Sequence, residues 1–256
     1  MEALAHARIV MWEGASLWIV DATPTTDETR RTDFHAHHAI QLTISLGGRF
    51  TLGTAETDVV SEAVAVAADT LHDFGAEGLI AFVFVEPESR LGRAVARRLF
   101  DGADLVAVPV AYLGDFRAQA ARLYRNPARD DEALIALGRA LVQVLAAEVK
   151  ADVPDLRVRK MIAWAAQQVE GPVSLADLGA VGGLSASRLR HLFVEQTGLP
   201  FKTYLLWLRL TRALEAYAGG VSLTQAAHDA GFSDSAHLSR TFRRMFGVTP
   251  AALRMT

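Results

Sequence analysis

The sequence predicts an α+β protein with two domains, an N-terminal β-barrel with flanking helices and an all-helical C-terminal domain. Two observations carry this prediction. Up to about residue 109, short runs of β-forming residues alternate with glycine-containing turns, as in small barrels. After residue 156, apolar residues recur at helical spacing in a block that occurs twice. We therefore place the domains at residues 1–150 and 156–256, joined by the charged, proline-containing segment Lys150–Arg157.

Composition limits the classes of protein to which the chain can belong. Its 256 residues, about half of them hydrophobic, suffice for two packed cores. The chain contains no cysteine, which excludes disulfides, thiolate chemistry and zinc fingers. No apolar run approaches the ~20 residues of a membrane span, and the first residues lack the pattern of a secretory signal. We therefore expect a cytoplasmic protein with no membrane partner.

The expected strands of the first domain are Arg8–Trp12, Leu17–Asp21, His38–Leu46, Arg49–Leu52, Val64–Ala68 and Leu79–Glu86. Gly47 and Gly48 separate two of these strands by two residues, the spacing of a tight β-hairpin. Helices are expected at Ser89–Phe100, Tyr112–Tyr124 and Glu132–Val149. The last helix carries an apolar stripe formed by Leu134, Leu137, Leu141 and Leu145. This stripe either covers the barrel or contacts a second copy of the chain, and we favour the second alternative, a homodimer.

The stretch Ser222–Pro250 predicts two short helices joined by a tight turn. Ser222 and Gln225 have the spacing of a capping box, and Gly231 supplies the positive φ of the turn. Ser233 is expected to cap the second helix, whose buried face carries Leu238, Phe242, Met245 and Phe246. The same pattern occurs 48 or 49 residues earlier in Ser174, Gly183, Ser185, Leu189, Phe193 and Gly198, so Ser174 and Ser185 are expected to cap the corresponding helices. The domain therefore contains two copies of one unit.

The repeated unit, above all the stretch GFSDSAHLSRTFRRMFGVTP, resembles the DNA-binding domain of AraC/XylS-type transcription regulators. The resemblance covers residues 156–254. It implies two helix-turn-helix units bridged by one long helix, a role that Phe201–Tyr217 fits. Leu253 departs from the aromatic residue that the family usually has, which concerns packing. The resemblance implies sequence-specific binding of double-stranded DNA, with RNA polymerase as a further candidate partner.

Charge and helix geometry indicate which residues would contact DNA. Residues 1–151 contain 14 basic and 21 acidic residues, whereas residues 152–256 contain 12 and 8. Base reading is expected at the start of each recognition helix, from Ser187, Arg190, His191, Ser235, Ala236, Ser239 and Arg240. Arg190 and Arg240 are the candidates for guanine, with a phosphate contact as the alternative for each. Phosphate contacts are expected from Arg188, Lys202, Arg209, Arg243 and Arg244.

Histidines in the first domain suggest a second site. His35, His37, Gln41 and Gly48 match the first motif of cupin barrels, the usual sensor domain in this regulator family, with glutamine in place of glutamate. His72 lies at the histidine of the second motif, where Ala67, Asp69 and Ala76 replace Pro, Gly and Asn. Imidazoles suit several divalent metals, but they also line ligand pockets. Because the carboxylate is missing, we favour no metal; if one binds, its ligands would be His35, His37 and His72.

Aromatic residues on the same strands predict a pocket for a small, partly apolar effector. The expected pocket residues are Phe34, His35, His37, Gln41, His72 and Phe82. The leading hypothesis is a ligand-responsive transcription regulator and not an enzyme. Two alternatives stay open. One is a metal-dependent cupin enzyme with an accessory DNA-binding domain, for which only Asp69 and Asp73 would be available as general bases; the other is a DNA-binding protein whose N-terminal domain only dimerises.

Overall fold

The computed structural model describes residues 5–22, 31–146 and 153–256. The chain forms two compact units, one containing residues 1–151 and 242–256, the other residues 152–241. The first division falls in the segment Lys150–Arg157, part of which lies outside the described residues. The second division falls inside a helix, between Thr241 and Phe242. The last fifteen residues therefore pack with the β-rich part of the chain.

Nine strands are found within the described ranges: β1 Ala5–Trp12, β2 Ala15–Ala22, β3 Ile40–Ser45, β4 Arg49–Gly53, β5 Asp58–Val59, β6 Ala63–Val66, β7 Asp73–Val85, β8 Leu105–Ala107 and β9 Leu253–Met255. Their order is β8-β6-β3-β7-β2-β1-β9, and β4 pairs with β5 and β7. The pairing of β1 with β9 is parallel, so the C-terminus of the chain extends the barrel sheet. The sequence did not predict β5, β8 or β9, which are three residues long or shorter.

The 13-residue strand β7 connects the two halves of the barrel. Its second half pairs with β2 and β3, and its first half pairs with β4. The hairpin predicted at Gly47–Gly48 is therefore wrong, because β3 and β4 do not pair with each other but follow one another along β7. A Cβ atom on Gly48 would lie 2.4 Å from the carbonyl oxygen of Glu77. Glycine is present at residue 48 because two backbones approach closely there.

Three helices cover one side of the barrel: α1 Arg90–Leu99, α2 Phe116–Arg125 and α3 Asp131–Ala146. Leu134, Leu141 and Leu145 of α3 are buried in the barrel core, and Leu137 packs against that core. The apolar stripe thus covers the chain's own sheet, and the dimer contact predicted from it is wrong in that respect. An apolar sheet face needs a cover, and α3 provides it by packing against β1, β2 and α1.

The remaining helices are α4 Leu156–Gln167, α5 Leu175–Gly182, α6 Ala186–Thr197, α7 Phe201–Ala218, α8 Leu223–Asp229 and α9 Ser235–Phe246. The pairs α5–α6 and α8–α9 are the two predicted helix-turn-helix units, and α7 is the bridge between them. The glycines that the repeat aligns have the same left-handed backbone, with φ of 63° at Gly183 and 74° at Gly231. The repeat read from the sequence is confirmed at the level of backbone geometry.

The helix caps agree with the prediction at three of four starts. Ser174, Ser185 and Ser222 accept hydrogen bonds from main-chain N–H groups of α5, α6 and α8. At α9 the cap is Asp234, whose Oδ1 accepts from His237 N at 2.6 Å, and the cap predicted at Ser233 is wrong. A carboxylate in this place also complements the positive end of the helix dipole. No helix in the described ranges is both long and apolar enough to cross a membrane.

Candidate functional site

The residues predicted to read bases lie on the outer faces of α6 and α9. Ser187, Arg190, His191, Ala236 and Arg240 are exposed, and Ser235 and Ser239 are partly exposed. The opposite faces are buried, since Leu189, Phe193, Leu238 and Phe242 are at most 2% exposed. Each helix is therefore held by an apolar face while its first turns stay open to a partner. This is the arrangement that insertion into a major groove requires.

The residues predicted to contact phosphates fall into two groups. Arg188, Lys202 and Arg244 are exposed on helices α6, α7 and α9. Arg209 is only partly exposed, and its guanidinium donates to the carbonyl oxygens of Val169 and Gly171, each at 2.9 Å. Arg209 thus holds the loop before α5, and a phosphate role for it is withdrawn. Helical spacing in the sequence could not show this role, because the carbonyl oxygens that bind Arg209 belong to a loop about 40 residues earlier in the chain.

Arg243 is also engaged, although it is exposed. Its Nε donates to Oδ2 of Asp33 at 2.7 Å, and both side chains are more than half exposed. The Arg243 guanidinium holds the pKa of the Asp33 carboxyl below its usual range. The guanidinium of Arg243 would otherwise be available to a DNA phosphate, and its pairing with Asp33 competes with that contact.

A cavity of about 190 Å³, partly open to solvent, lies in the barrel. Six aromatic side chains contribute to its lining: Trp18, Phe74, Phe82, Phe84, Phe242 and Phe246. Its polar lining residues include Arg31, Thr32, His35 and Gln41, and the C-terminal residues Val248, Ala252 and Leu253 complete one wall. A mainly apolar lining with a few polar groups is typical of small-molecule sites, and the volume of this cavity suits only a compact ligand.

The C-terminal half of α9 contributes side chains to the lining of this cavity. The ring of Phe246 lies 4.9 Å from Trp18 and 5.7 Å from Phe84, measured between ring centroids. Phe242 lies 4.8 Å from Phe246. Aromatic pairs at these separations are stabilising beyond the area that they bury. The sequence predicted that this face of α9 is buried but gave no signal that it contributes to the pocket.

The predicted pocket residues are only partly confirmed. His35, Gln41 and Phe82 line the cavity, whereas His37 and His72 are not among its lining residues; their ring centroids lie 6.0 and 4.3 Å from that of His35. Phe34 is 51% exposed and does not line the cavity, so its assignment to the pocket is wrong. His35 is buried, whereas the side chain of its neighbour Phe34 is exposed to solvent.

His35, His37 and His72 are buried and converge. Their ring centroids lie 4.3 to 6.0 Å apart, and one ring nitrogen from each lies within 4.8 Å of the others. The backbones of His35 and His72 exchange two hydrogen bonds, of 2.8 and 2.9 Å, which fixes the distance between the two segments. The convergence that the sequence motif suggested is therefore present.

Main-chain carbonyls determine which nitrogen of each ring carries hydrogen. Nδ1 of His35, His37 and His72 lies 2.8 to 2.9 Å from the carbonyl oxygens of Asp33, Ala39 and Thr70 respectively. A carbonyl oxygen only accepts, so Nδ1 of neutral His35 and neutral His72 donates, and Nε2 of each of these two rings keeps a lone pair. Nε2 of His37 lies 2.9 Å from the side-chain oxygen Oε1 of Gln41, so both ring nitrogens of His37 face acceptor oxygens. Nε2 of His72 is buried and has no hydrogen-bond partner among the described residues.

Burial keeps these rings neutral. It lowers the pKa of His35 to about 4 and that of His37 to about 3, with the neighbouring His72 contributing to both, and it lowers the pKa of His72. His38 behaves oppositely: burial would lower its pKa, but Asp69 and Glu88 outweigh this and raise it to about 9. Its Nε2 lies 2.9 Å from Oε2 of Glu88. Its two nearby carboxylates distinguish His38 from the three clustered histidines.

Comparisons with known proteins identify the C-terminal domain. A family model described as a helix-turn-helix domain matches residues 178–256. The uncharacterised HTH-type transcriptional regulator YidL of Escherichia coli K12 is 34% identical over 108 residues, which are 42% of this chain and 36% of that protein. The transcriptional activator RhaS of Escherichia fergusonii is 35% identical over 101 residues, 39% of this chain and 36% of that protein. The match thus spans about a third of the length of these relatives.

Solved structures extend the likeness to the whole fold. ToxT from Vibrio cholerae O395 superposes with a TM-score of 0.59 at 12% identity, covering 97% of this chain and 96% of that one. Wild-type ToxT from strain SCE256, solved with an unsaturated fatty acid bound, gives a TM-score of 0.56 at 10% identity and covers 98% and 95%. At such low identity these structures show a shared fold, a barrel followed by a helical domain.

Proposed function

We infer that this chain, whose C-terminal domain is an AraC-type helix-turn-helix domain, is a sequence-specific transcription regulator that responds to a small molecule. The observation that carries this inference is the pair of helices α6 and α9. Each buries an apolar face and exposes an arginine, Arg190 or Arg240, near its start. A guanidinium at that place can bond O6 and N7 of guanine together. We propose no catalytic activity for this chain.

The bridge helix sets the expected form of the DNA site. Helix α7 has 18 residues, and at ~1.5 Å per residue it spans about 27 Å. Successive major-groove segments on one face of DNA are about 34 Å apart. Because the helix-turn-helix units have width of their own, a bridge of this length lets both recognition helices enter the groove together. The site of one monomer then contains two short elements about 10 base pairs apart.

We propose that the effector binds in the barrel cavity. An apolar cavity of about 150 Å³ is known to hold benzene, so about 190 Å³ suits a molecule with one ring or a similar compact shape. The aromatic lining favours an apolar body, and Thr32, His35 and Gln41 offer hydrogen bonds to a polar group. The fatty-acid complex of ToxT supports ligand binding by a protein of this fold.

The C-terminal half of α9 offers a route from ligand to DNA. Phe242 and Phe246 line the cavity, and Arg240 lies two residues before Phe242 in the same helix. A ligand that binds differently to two positions of these rings shifts the population of α9 positions by that difference in affinity. Sensing and DNA reading are then linked through a single rigid element. We further propose that the regulator works in the cytoplasm as a homodimer and contacts RNA polymerase at its promoters.

Selection of duplexes from a random library tests the DNA proposal. The full-length chain is expected to select two elements about 10 base pairs apart and to lose affinity steeply with salt. Arg190→Ala and Arg240→Ala should each weaken binding by about 1–3 kcal/mol and relax the preference at one element only. Arg212→Ala is the matched control, because Arg212 is an exposed arginine of α7 paired with Glu215. Binding without sequence preference, or a control as damaging as the other variants, would contradict the proposal.

Filling the cavity tests the effector proposal. Ala76 lines the cavity, so Ala76→Trp places an indole in the space that a ligand would occupy. A panel of single-ring aromatic compounds should raise the melting temperature of the wild type but not that of Ala76→Trp. Phe34→Ala, at an exposed aromatic residue outside the cavity, should respond like the wild type. Ligands that stabilise all three proteins equally bind elsewhere, and the cavity would then not be the effector site.

A further inference from the structure

We propose that the effector bound in the barrel cavity is a neutral, single-ring molecule whose ring carries a hydroxyl group, as in a simple phenol. This inference rests on the proposed effector cavity and adds the chemistry of the ligand's polar group. It follows from the hydrogen-bond donors and acceptors that the lining side chains leave unused. The lining side chains with polar atoms are Trp18, Arg31, Thr32, His35 and Gln41.

Trp18 and Arg31 are engaged by the protein itself. The indole Nε1 of Trp18 donates to Oγ of Ser16 at 3.0 Å. The terminal nitrogens of Arg31 donate to two carboxylates, those of Asp58 and Asp73. One guanidinium thus faces two acidic groups, and the set has no excess positive charge that would attract an anionic ligand.

The rest of the lining is uncharged. None of the described lining residues is acidic, and the buried imidazole of His35 is neutral because burial lowers its pKa to about 4. A carboxylate or an ammonium group in the cavity would lose its hydration without gaining an opposite charge, which is strongly unfavourable. The polar group of the effector is therefore neutral.

His35 offers an acceptor. Its Nδ1 donates to the carbonyl oxygen of Asp33 at 2.8 Å, so the neutral ring carries its hydrogen on Nδ1 and a lone pair on Nε2. Because His35 lines the cavity and Nδ1 is occupied, Nε2 is the ring nitrogen that remains for a ligand. A lone pair in this place requires a ligand group that donates a hydrogen.

Thr32 offers a donor. Its Oγ1 accepts a hydrogen bond from the main-chain N–H of Phe74 at 3.0 Å. Nδ1 of His35 lies 3.4 Å from Oγ1, but this nitrogen carries the hydrogen donated to Asp33 and cannot accept another. The hydroxyl hydrogen of Thr32 therefore has no acceptor among the described residues, and it is available to an oxygen atom of a ligand.

Gln41 offers a second donor, whichever way its amide is oriented. Its side-chain oxygen and nitrogen lie 2.9 Å from Nε2 of His37 and from Oγ1 of Thr43 respectively. An amide nitrogen has two hydrogens, and contact with either neighbour uses only one of them. Because Gln41 lines the cavity, the remaining N–H is a further donor to a ligand oxygen.

A single hydroxyl group matches these unused atoms. It donates one hydrogen, as Nε2 of His35 requires, and its two lone pairs accept from Thr32 and Gln41. A hydroxyl oxygen with hydrogen bonds of ~2.8 Å bridges atoms up to about 5.6 Å apart. Oγ1 of Thr32 lies 3.4 Å from the near nitrogen of the His35 ring, so Nε2 of the same five-membered ring is within that span.

The aromatic lining selects the body that carries the hydroxyl group. Six aromatic side chains line the cavity and favour a flat apolar ring. A hydroxyl group on such a ring has a pKa of about 10, so it is neutral at pH 7 and still has its hydrogen to donate. A carboxylate on the same ring only accepts, and its oxygens would face the lone pair of His35.

Calorimetric titration of the full-length chain at pH 7 with phenol, toluene and benzoate tests the inference. Phenol and toluene have the same shape, and a pocket that is merely apolar prefers toluene. Phenol is expected to bind at least tenfold more tightly than toluene, because a site with unused polar groups rejects an analogue that lacks the hydroxyl. Benzoate should show no saturable binding. Toluene binding as tightly as phenol, or benzoate more tightly than phenol, would overturn the inference.

Two variants locate the hydroxyl contact. His35→Phe keeps a ring but removes the acceptor, and Thr32→Val keeps the shape but removes the donor. Each should reduce the preference for phenol over toluene at least fivefold while toluene affinity stays within about twofold. His6→Phe, at an exposed histidine of β1, is the matched control and should keep the full preference. Melting temperatures show which variants are folded. A folded His35→Phe with an undiminished preference for phenol would contradict the contact.

Ala76→Trp separates this inference from the proposed function. If phenol and toluene bind the wild type equally and neither binds Ala76→Trp, the cavity holds ligands and only the hydroxyl inference is wrong. If a probe binds Ala76→Trp as tightly as the wild type, the cavity is not the site, and the proposed effector function is wrong as well.

Discussion

Gly183 and Gly231 occupy the same turn in the two helix-turn-helix units, yet replacing them with alanine should have different consequences. Both have left-handed backbones, with φ of 63° and 74°. At Gly183 an added Cβ would have nothing within 4 Å. At Gly231 it would lie 2.3 Å from the carbonyl oxygen of Val169 and 3.1 Å from Nε of Arg209. The internal repeat thus supplies a matched control for the effect of close packing.

The magnitudes follow from these contacts. A left-handed backbone costs a residue with a Cβ about 1–2 kcal/mol, so Gly183→Ala should destabilise the chain by that amount. Gly231→Ala has the same backbone cost and also displaces the Val169 carbonyl, which accepts a 2.9 Å hydrogen bond from Arg209. Losing a hydrogen bond to a charged group adds about 1.5–3 kcal/mol. The expected total for Gly231→Ala is about 2.5–5 kcal/mol.

Urea unfolding monitored by circular dichroism in the helical region measures both variants. Because the chain has two compact units, the transition of the helical unit is fitted by itself. Duplex affinity at low urea is the second measurement, since the Gly231 turn sets the angle between α8 and α9. Equal destabilisation by the two substitutions would refute the reasoning, because it would mean that the Val169 contact carries no free energy.

Three further predictions concern the barrel. Phe246→Ala should lower the free energy of unfolding by about 3–5 kcal/mol and admit two-ring ligands, whereas Phe34→Ala should change stability by less than about 0.5 kcal/mol in thermal unfolding. Asp33→Asn should release Arg243 and steepen the salt dependence of duplex binding by about one unit, measured by salt titration. Burial and the nearby Glu88 raise the pKa of Glu86 from its usual 4.5 to about 8, and the opposing effect of His38 is smaller. The free energy that protonated Glu86 contributes to folding is therefore fully present below pH 4.5 and is lost as the pH rises through 8. Glu86→Gln should flatten the melting temperature over that range, and an unchanged profile would contradict the assignment.

The repeat was predictable from the sequence because it leaves local marks. Caps, turn glycines and apolar spacing are all set within a few residues, and these features reappear in α5–α6 and α8–α9. The hairpin at Gly47–Gly48 was not predictable in the same way. A glycine pair has the same local pattern whether it makes a turn or lets a distant backbone approach, and the contact with Glu77 is about 30 residues away. Long-range pairing, not local preference, decides between the two.

The histidine cluster and the cavity lining were likewise predictable only where neighbouring residues in the sequence determine them. Alternation along the chain placed His35 and His37 on one side, and the motif added His72. The hydrogen bonds that fix the ring tautomers depend on main-chain carbonyls of loops, which no periodicity encodes. Periodicity also showed that Phe242 and Phe246 are buried, but not which surface buries them. That is why the wall of the cavity was missing from the sequence prediction.

The shared helix limits how strongly an effector can act. A ligand shifts α9 only by the difference between its affinities for two arrangements of the cavity wall, and couplings between sites are typically 1–3 kcal/mol. Small ligands bind with at most about 1.5 kcal/mol per heavy atom. The binding free energy of a single-ring compound can supply such a coupling only if most of it comes from contacts that differ between the two arrangements of the cavity wall. Phe242 and Phe246 are such contacts, because they line the cavity and belong to the helix that carries Arg240.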